Sequence, residues 1–303
     1  MELFLQRVFD GLNNGAAYAV VAIALVIIFK ATTLVNFAQA NMAMFGTYLT
    51  WMFATQQGLP IWIAIFVSMA LTAAGGAVIE RVLIRPFDPT DHLPVVLITL
   101  GLSLILEAVA GWKWGLEFHR FPSPFPAAPD DFVSIGGARL RYETIGTIVT
   151  MFVMLGVLSL VLNRTKIGLA FRAVSSNTES SRLVGVKVGP TLMFGWALSA
   201  AFGTLGGALV ARQTNLEPAF MAKLVIFSFA AATLGGLDSI GGTVIGAFIV
   251  AMIQSLLVGY AQQIPGLDWL KSNYALVIAF VVILVVLLFK PSGLYGTRRI
   301  ERV

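Results

Sequence analysis

The chain has 303 residues, of which 58% are hydrophobic and 12% are charged, and its formal net charge is +5. So few polar residues cannot cover a soluble globule of this size, and the composition therefore indicates an integral membrane protein. Zero cysteines and two histidines exclude disulfides, iron–sulfur clusters and thiol catalysis, and they argue against a metal site.

The apolar runs are long and continuous, which predicts membrane-spanning helices rather than the short alternating strands of a barrel. The first run, residues 12–29, is longer than the core of a typical signal sequence, so we expect it to remain as the first span. Further spans are predicted at residues 37–54, 61–79 and 93–112. The fold class is therefore an all-α, polytopic helical bundle.

Polar side chains inside these spans are candidates for a translocation path. They are Asn14 in the first run, Asn36, Gln39 and Asn41 at the entrance of the second, and Thr99, Ser103 and Glu107 in the fourth. The last three recur every four residues, which predicts one stripe of a helix. We expect the set to face the interior of the bundle, with Glu107 near its outer mouth. Such groups either hydrogen-bond between helices or line a wet path, and the sequence leaves both open.

Residues 113–142 contain four prolines and mixed charges but no apolar run. This composition predicts an external loop with little regular helix.

A basic run at residues 163–190 separates the uncharged runs 145–162 and 191–211, each about long enough to span the bilayer. It carries five Lys and Arg against one acid, Glu179, which predicts a loop on the cytoplasmic side. A Ser/Asn/Thr cluster at residues 175–178 can cap a helix start, with Glu179 and Arg182 spaced i, i+3 after it. We predict two short helices lying across the membrane face. A solvated connector that merely fixes topology is the alternative.

Short apolar runs at residues 224–237 and 240–260 are interrupted by glycine, and a last span is predicted at 274–289. Such glycines mark either a broken or re-entrant helix or close helix packing. The glycines concerned are Gly235, Gly236, Gly241, Gly242 and Gly246. We expect about eight to nine crossings. If both short runs cross, the chain makes nine, with an external N-terminus and an internal C-terminus. If they form a re-entrant pair or one of them does not cross, the count falls to eight or seven and one terminus can lie on the other side.

Several motifs together resemble the permease subunits of the branched-chain amino acid branch of ABC importers, along nearly the whole chain. The motifs are GLAFRAVSSNTESSRLVGV in the basic loop, VNFAQ at 35–39, ER at 80–81 with RP at 85–86, LGGLDSIGGTVIGA at 234–247 and PSGLYG at 291–296. Gln39 and Ala40 stand where the family usually has His-Gly, and Asp238 replaces a usual glycine. These departures affect the substrate more than the transporter assignment.

The resemblance implies that the basic loop docks on an ATPase subunit. The residues it assigns to coupling are Gly168, Arg172, Ala173, Asn177, Glu179, Arg182 and Gly185. It also implies a single permease domain over 1–303, located in the bacterial inner membrane. The implied partners are two ATPase subunits, a second permease (paralogue or self) and an extracytoplasmic binding protein. The substrate stays open among branched-chain amino acids, urea and short amides.

The chain is not expected to be an enzyme. It has no G-x-x-x-x-G-K-[ST] motif, so we expect ATP to be bound by a partner, with no cofactor or metal on this chain. Its positive charge lies in loops, which indicates topology rather than nucleic-acid binding. The competing function is an ion-gradient-driven secondary transporter or channel, which would normally need ionisable residues deep in its spans.

Overall fold

The computed structural model describes residues 1–87, 92–261, 275–290 and 292–296, and most of them are helical. The helices are α1 (Glu2–Thr32), α2 (Gln39–Trp51), α3 (Ile61–Ile79), α4 (His92–Trp114), α5 (Tyr142–Arg164), α6 (Lys166–Ser176), α7 (Thr178–Leu183), α8 (Val188–Thr214), α9 (Phe220–Gly235), α10 (Ile240–Ala261) and α11 (Ala275–Phe289). Two π-helical turns, Met52–Gln56 and Glu80–Ile84, extend α2 and α3. An antiparallel hairpin joins β1 (Phe132–Ile135) to β2 (Ala138–Arg141).

Six of the described helices are long and apolar enough to cross a membrane. They are Glu2–Thr32, Ile61–Ile84, Leu93–Trp114, Tyr142–Arg164, Val188–Thr214 and Ile240–Ala261. The shorter apolar helix Phe220–Gly235 adds to them. The predicted all-helical, polytopic membrane fold is therefore confirmed, and the expected total of about eight to nine crossings depends on the shorter helices. The last predicted span begins at Tyr274, which lies outside the described residues.

Contacts between Cα atoms divide the chain into two compact units. The first comprises Met1–Val26, Phe125–Met151 and Lys223–Val303. In it, Gly11 and Gly15 of α1 lie against Met252 and Phe248 of α10, since a Cβ added at Gly11 would come 3.0 Å from the Met252 sulfur. The small residues let the two helix backbones approach closely.

The second unit comprises Ile27–Pro124 and Phe152–Ala222. Here α8 is the central helix, because every residue from Ser199 to Ala211 is buried. A Cβ added at Gly76 of α3 would meet the Trp196 carbonyl at 2.7 Å, and one at Gly46 of α2 would overlap the Thr204 hydroxyl. Glycines thus set how closely α2 and α3 pack on α8.

The predicted cytoplasmic loop of this unit forms the two short helices α6 and α7. The Thr165 hydroxyl caps α6 by accepting a hydrogen bond from Gly168 N at 3.0 Å, and the Asn177 side chain caps α7 by accepting one from Ser180 N at 2.8 Å. These bonds satisfy amides that have no partner within their own helix. The Ser/Asn/Thr cluster of the sequence therefore contains the cap of α7.

Candidate functional site

The basic loop, residues 163–190, presents a mixed basic and apolar surface. Its buried side, Phe171 and Val174, fixes α6 to the second unit. Its outer side carries Leu183 and Val184, whose exposed fractions are 88% and 78%. The loop therefore presents exposed apolar and charged side chains side by side.

The structure places the predicted coupling residues at different depths in this loop. Arg172, Asn177, Glu179 and Arg182 are exposed, Ala173 is half-buried, Gly168 is buried, and Gly185 follows α7 with a φ of +84°. A Cβ added at Gly168 would overlap the Val161 carbonyl, so glycine lets α6 fold directly back on α5. The charged members of the set are therefore available to a partner.

An ion pair stands beside the loop at the end of α3. Glu80 is buried, and its two carboxylate oxygens accept from Arg85 Nη2 at 2.7 Å and from Arg85 Nε at 3.2 Å. A Cβ added at Gly189, at the start of α8, would lie 3.1 Å from the Arg85 guanidinium carbon. Arg85 thus lies over the point where the loop enters α8. Both residues belong to the ER and RP motifs of the sequence, but the motifs do not predict their contact.

The predicted path amides of α2 are hydrogen-bonded inside the second unit. Ser199 Oγ donates to Gln39 Oε1 at 2.8 Å, and Gln39 Nε2 donates to the Ser199 carbonyl at 3.2 Å. Asn36 lies just ahead of α2, and its Oδ1 accepts from Ala38 N at 3.0 Å. Both amides are buried. This geometry favours the interhelical hydrogen-bonding alternative in the described state.

The stripe on α4 turns outward along the helix. Thr99 is buried, and its hydroxyl donates to the Val96 carbonyl at 3.0 Å. Ser103 is half-buried and receives both the 2.7 Å side-chain and 2.7 Å main-chain hydrogen bonds from Asn41 Nδ2. Glu107 is exposed. The drift follows because each step of four residues rotates the side chain by about 40° on a helix of 3.6 residues per turn. Glu107 therefore lies on the exposed face of α4 and not among the buried side chains of the bundle.

The glycine block divides α9 from α10. Gly236 has a φ of +108°, and α10 begins at Ile240, so no continuous helix runs through the block. Gly235 and Gly242 lie against each other's backbone, and Gly246 lies against the Ala231 carbonyl. Gly241 differs from the other four, because an added Cβ there would have open space around it. Gly241 is therefore neither the residue at which the helix breaks nor a point of close helix contact.

A polar cavity of about 270 Å³ lies in the first unit between α1 and α10. Its lining includes Arg7, Asp10, Asn13, Asn14, Gln254 and Ser255. Asn14 was predicted as a path residue, whereas the others were not singled out. Two features of the sequence could have indicated this cavity. One is the charged pair Arg7 and Asp10 just ahead of the first apolar run, and the other is Gln254, an amide inside an apolar run.

Among the described residues, no group of three or more His, Asp or Glu is placed to hold a metal ion.

Comparison with known proteins matches residues 7–287 to the family described as "Branched-chain amino acid transport system / permease component". The chain is 28% identical over 313 residues to the high-affinity branched-chain amino acid transport system permease protein BraD of Pseudomonas aeruginosa, covering 99% of this chain and 98% of the relative. It is 26% identical to the corresponding LivH protein of Escherichia coli K12, with the same coverage.

A third relative is the probable branched-chain amino acid transport permease protein LivH of Methanocaldococcus jannaschii, 28% identical over 279 residues, or 91% of this chain and 87% of the relative. The family consists of permease subunits of ABC transporters, in which a separate ATPase hydrolyses ATP, so the chain is not an enzyme. The relatives are inner-membrane permeases, and the chain is likewise a multi-pass inner-membrane protein. The match over nearly the whole chain shows that it belongs to the permease component family of branched-chain amino acid transport systems.

Proposed function

We propose that this chain forms the translocation path of a binding-protein-dependent ABC importer and carries branched-chain amino acids or a related small polar solute. The proposed partners are two ATPase subunits, a second permease copy or paralogue, and an extracytoplasmic binding protein. The amino acid substrate is supported by the three relatives named above, which are branched-chain amino acid transport permeases.

The observation that carries the coupling role is the surface of the loop at residues 163–190. Exposed Arg172 and Arg182 flank the exposed apolar pair Leu183 and Val184. The loop is joined at both ends to membrane-spanning helices, and side-chain caps order its helices α6 and α7. Only four residues separate α7 from α8, so a displacement of α7 is passed directly to α8. A rigid element of this kind can pass a domain movement between subunits.

A co-purification experiment tests the assembly. The tagged permease is extracted from native membranes in mild detergent, and the bound proteins are identified and assayed for ATP hydrolysis. We expect an ATPase and a solute-binding protein, with hydrolysis stimulated about fivefold when the binding protein carries substrate. Uptake that runs on an ion gradient without any ATPase would support the secondary transporter instead.

Charge reversal tests the loop. Arg172→Glu and Arg182→Glu should each lower the substrate-stimulated ATPase activity of the assembled transporter, because they place an acid where the partner meets a base. The lysine variants Arg172→Lys and Arg182→Lys are the matched controls and should keep most of the activity. Unchanged transport in both glutamate variants would remove the loop from the mechanism.

For the path itself, we propose that the polar cavity containing Asn14 is its outer part. The other predicted path residues stay predictions, and their exposure to water during transport can be measured. They are Asn36, Gln39, Asn41, Thr99 and Ser103. A weak, transient site is sufficient, because the binding protein supplies the recognition of dilute substrate before handing it over.

A further inference from the structure

The cavity between α1 and α10 contains one cationic and one anionic side chain among amides and a hydroxyl. Arg7, Asp10 and Asn14 come from α1, and Gln254 and Ser255 come from α10. At about 270 Å³ it approaches the roughly 300 Å³ at which small-molecule sites begin. The cavity therefore has room for a solute of a few heavy atoms.

The two charges interact weakly with each other. Arg7 Nη1 lies 3.5 Å from Asp10 Oδ2, at the outer limit of a hydrogen bond, and their side chains are 30% and 41% exposed. Gln6 Nε2 donates to the other oxygen, Asp10 Oδ1, at 3.2 Å. Because half-exposed ion pairs contribute little to stability, a ligand can separate this pair at small cost.

The backbone that carries Arg7 is held firmly on α10. Ser255 Oγ donates to the Arg7 carbonyl at 2.7 Å, and Gly259 leaves the space that the Arg7 side chain occupies, since an added Cβ would overlap Arg7 Nε. That Nε atom is buried without a hydrogen-bond partner among the described residues. An unsatisfied buried donor is unfavourable, and its persistence is typical of functional sites.

Two amides complete the wall of the cavity. Gln254 Oε1 accepts from the Tyr18 hydroxyl at 2.8 Å, which fixes the Gln254 side chain. Asn14 is half-buried and lies within the membrane-spanning helix α1, where it lines the cavity. Its side-chain amide can offer both a donor and an acceptor to water or to a passing solute.

The cavity lies at the end of α1 where the hairpin contacts it. Arg139 N of β2 donates to Gln6 Oε1 at 2.9 Å. The hairpin belongs to the loop that the sequence predicts to be external. With 31 residues, α1 is about 46 Å long, which exceeds the roughly 30 Å hydrocarbon core. Its first turns, including Arg7 and Asp10, can thus lie at the interface where a binding protein releases its cargo.

We infer that this cavity is an entry subsite for a zwitterion, an α-amino acid whose carboxylate pairs with Arg7 and whose ammonium pairs with Asp10. The inference rests on the proposed importer function and specifies its substrate class. A simple anion would meet Asp10, and a simple cation would meet Arg7. A zwitterion replaces the weak internal pair with two pairs of its own, and Asn14 and Gln254 offer hydrogen bonds to it.

Thiol protection tests the subsite on the permease alone. The chain has no cysteine, so Val258→Cys introduces a single thiol in the cavity wall, and Leu257→Cys, an exposed neighbour, is the matched control. Reaction with a small water-soluble maleimide is followed with L-leucine, isovalerate, isoamylamine or acetamide present. At about four times its dissociation constant, L-leucine should slow labelling of the cavity thiol about fivefold, because occupancy enters as 1 + [L]/Kd. The control thiol should not respond.

Variants of the charged pair decide the chemistry. Arg7→Gln and Asp10→Asn should each abolish protection by L-leucine, and the exchange Arg7→Asp with Asp10→Arg should restore at least half of it. The control thiol Leu257→Cys is labelled in each of these charge variants, and an unchanged labelling rate shows that the variant is inserted correctly. Protection by isovalerate or acetamide equal to that by L-leucine, or none by any of the four, overturns the proposal. ATP-driven uptake by the assembled transporter is scored separately, so protection by L-leucine without any ATP-driven uptake would refute the importer function and leave the subsite standing.

Discussion

Glu80 and Arg85 form a two-point ion pair five residues apart in the π-helical turn that ends α3. The same geometry shows in the backbone, where Arg85 N donates to the Glu80 carbonyl at 2.7 Å. Glu80 is 1% exposed, and Arg85 is the partner of both its carboxylate oxygens. The pair holds the end of α3 against the start of α8, next to the basic loop.

Removal of Arg85 should therefore destabilise the protein. We expect Arg85→Ala to lower the free energy of unfolding by about 2 kcal/mol, because it leaves a buried carboxylate uncompensated. Arg81, an exposed neighbour, provides the control Arg81→Ala, which should change stability little. The measurement is denaturant unfolding in detergent. A double variant with Glu80→Gln should recover most of the loss, and equal losses in the single and double variants would contradict this account.

Gly46 of α2 supports the close approach of α2 to α8. A Cβ added there would overlap Thr204, whose hydroxyl also lies 2.8 Å from the Thr72 hydroxyl of α3. We expect Gly46→Ala to cost about 1–3 kcal/mol through overpacking and to lower the thermal midpoint. Gly75→Ala and Gly101→Ala are matched controls, because open space surrounds both positions. Combining Gly46→Ala with Thr204→Ala should restore part of the stability. If Gly46→Ala and Gly75→Ala melt alike, the contact is unimportant.

Gly236 is placed where only glycine fits the break between α9 and α10. Its φ is +108°, and an added Cβ would lie 2.5 Å from Gly296 N. Beside it, Leu294 N and Tyr295 N donate to the Leu234 and Gly235 carbonyls at 2.8 and 2.9 Å, which caps the end of α9.

Gly236→Ala should thus cost about 2 kcal/mol or more, from backbone strain and from loss of this cap. Its readouts are the thermal midpoint and the yield of folded protein in detergent. Gly241→Ala, five residues on in open space, is the control and should be neutral or slightly stabilising, since alanine favours a helix. Similar behaviour of the two variants would show that the break tolerates a side chain.

The sequence predicted much of this fold because its signals are local. Apolar runs located most of the long helices within a few residues, although α1 begins at Glu2, ten residues before the predicted run. The Ser/Asn/Thr cluster contained Asn177, the cap of α7. The glycine block contained Gly236, where the helix breaks. Each of these features depends on residues close in sequence, where periodicity and capping rules apply.

What could not be predicted depends on pairing distant segments. The cavity brings Asp10 to Gln254, 244 positions away, and no local pattern announces that α1 packs on α10. The Glu80 and Arg85 contact was hidden for another reason. Residues five apart are about 140° apart on an α-helix, and only the π-helical turn brings them together. The burial of Gln39 likewise follows from its bond to Ser199, 160 residues away.

Asn177 connects α6 to α7, and its side chain supplies the hydrogen bond that starts a helix of six residues. Loss of this cap costs about 1 kcal/mol, a large share of what so short a helix has. We expect Asn177→Ala to leave insertion unchanged but to reduce substrate-stimulated ATPase activity severalfold in the assembled transporter. Asn177→Asp preserves the acceptor and should behave like the parent chain. Full activity in the alanine variant would show that α7 need not be ordered.

The amides at the start of α2 allow a direct test of whether a polar side chain lines the translocation path or only holds helices together. Gln39 and Asn36 are buried, and Gln39 is bonded to Ser199 at both its oxygen and its nitrogen. Asn14 instead lines an open polar cavity. In the resting state, single cysteines at Asn36, Gln39 and Ser103 should therefore resist small water-soluble thiol reagents, whereas one at Asn14 should react.

Trapping ATP hydrolysis then decides the role of the buried set. If α2 and α8 separate during transport, water reaches Gln39, and its cysteine should become reactive at a rate at least about tenfold higher, since a path residue must be wetted in one state of the cycle. The cysteine-free background makes each signal assignable to one position. A cysteine at Ala231, buried against Gly246 in the first unit and away from the contact of α2 with α8, controls for general loosening of the protein and should stay protected. Protection of Asn36, Gln39 and Ser103 in both states would leave them as interhelical hydrogen-bonding groups and confine the polar path to the cavity beside Asn14.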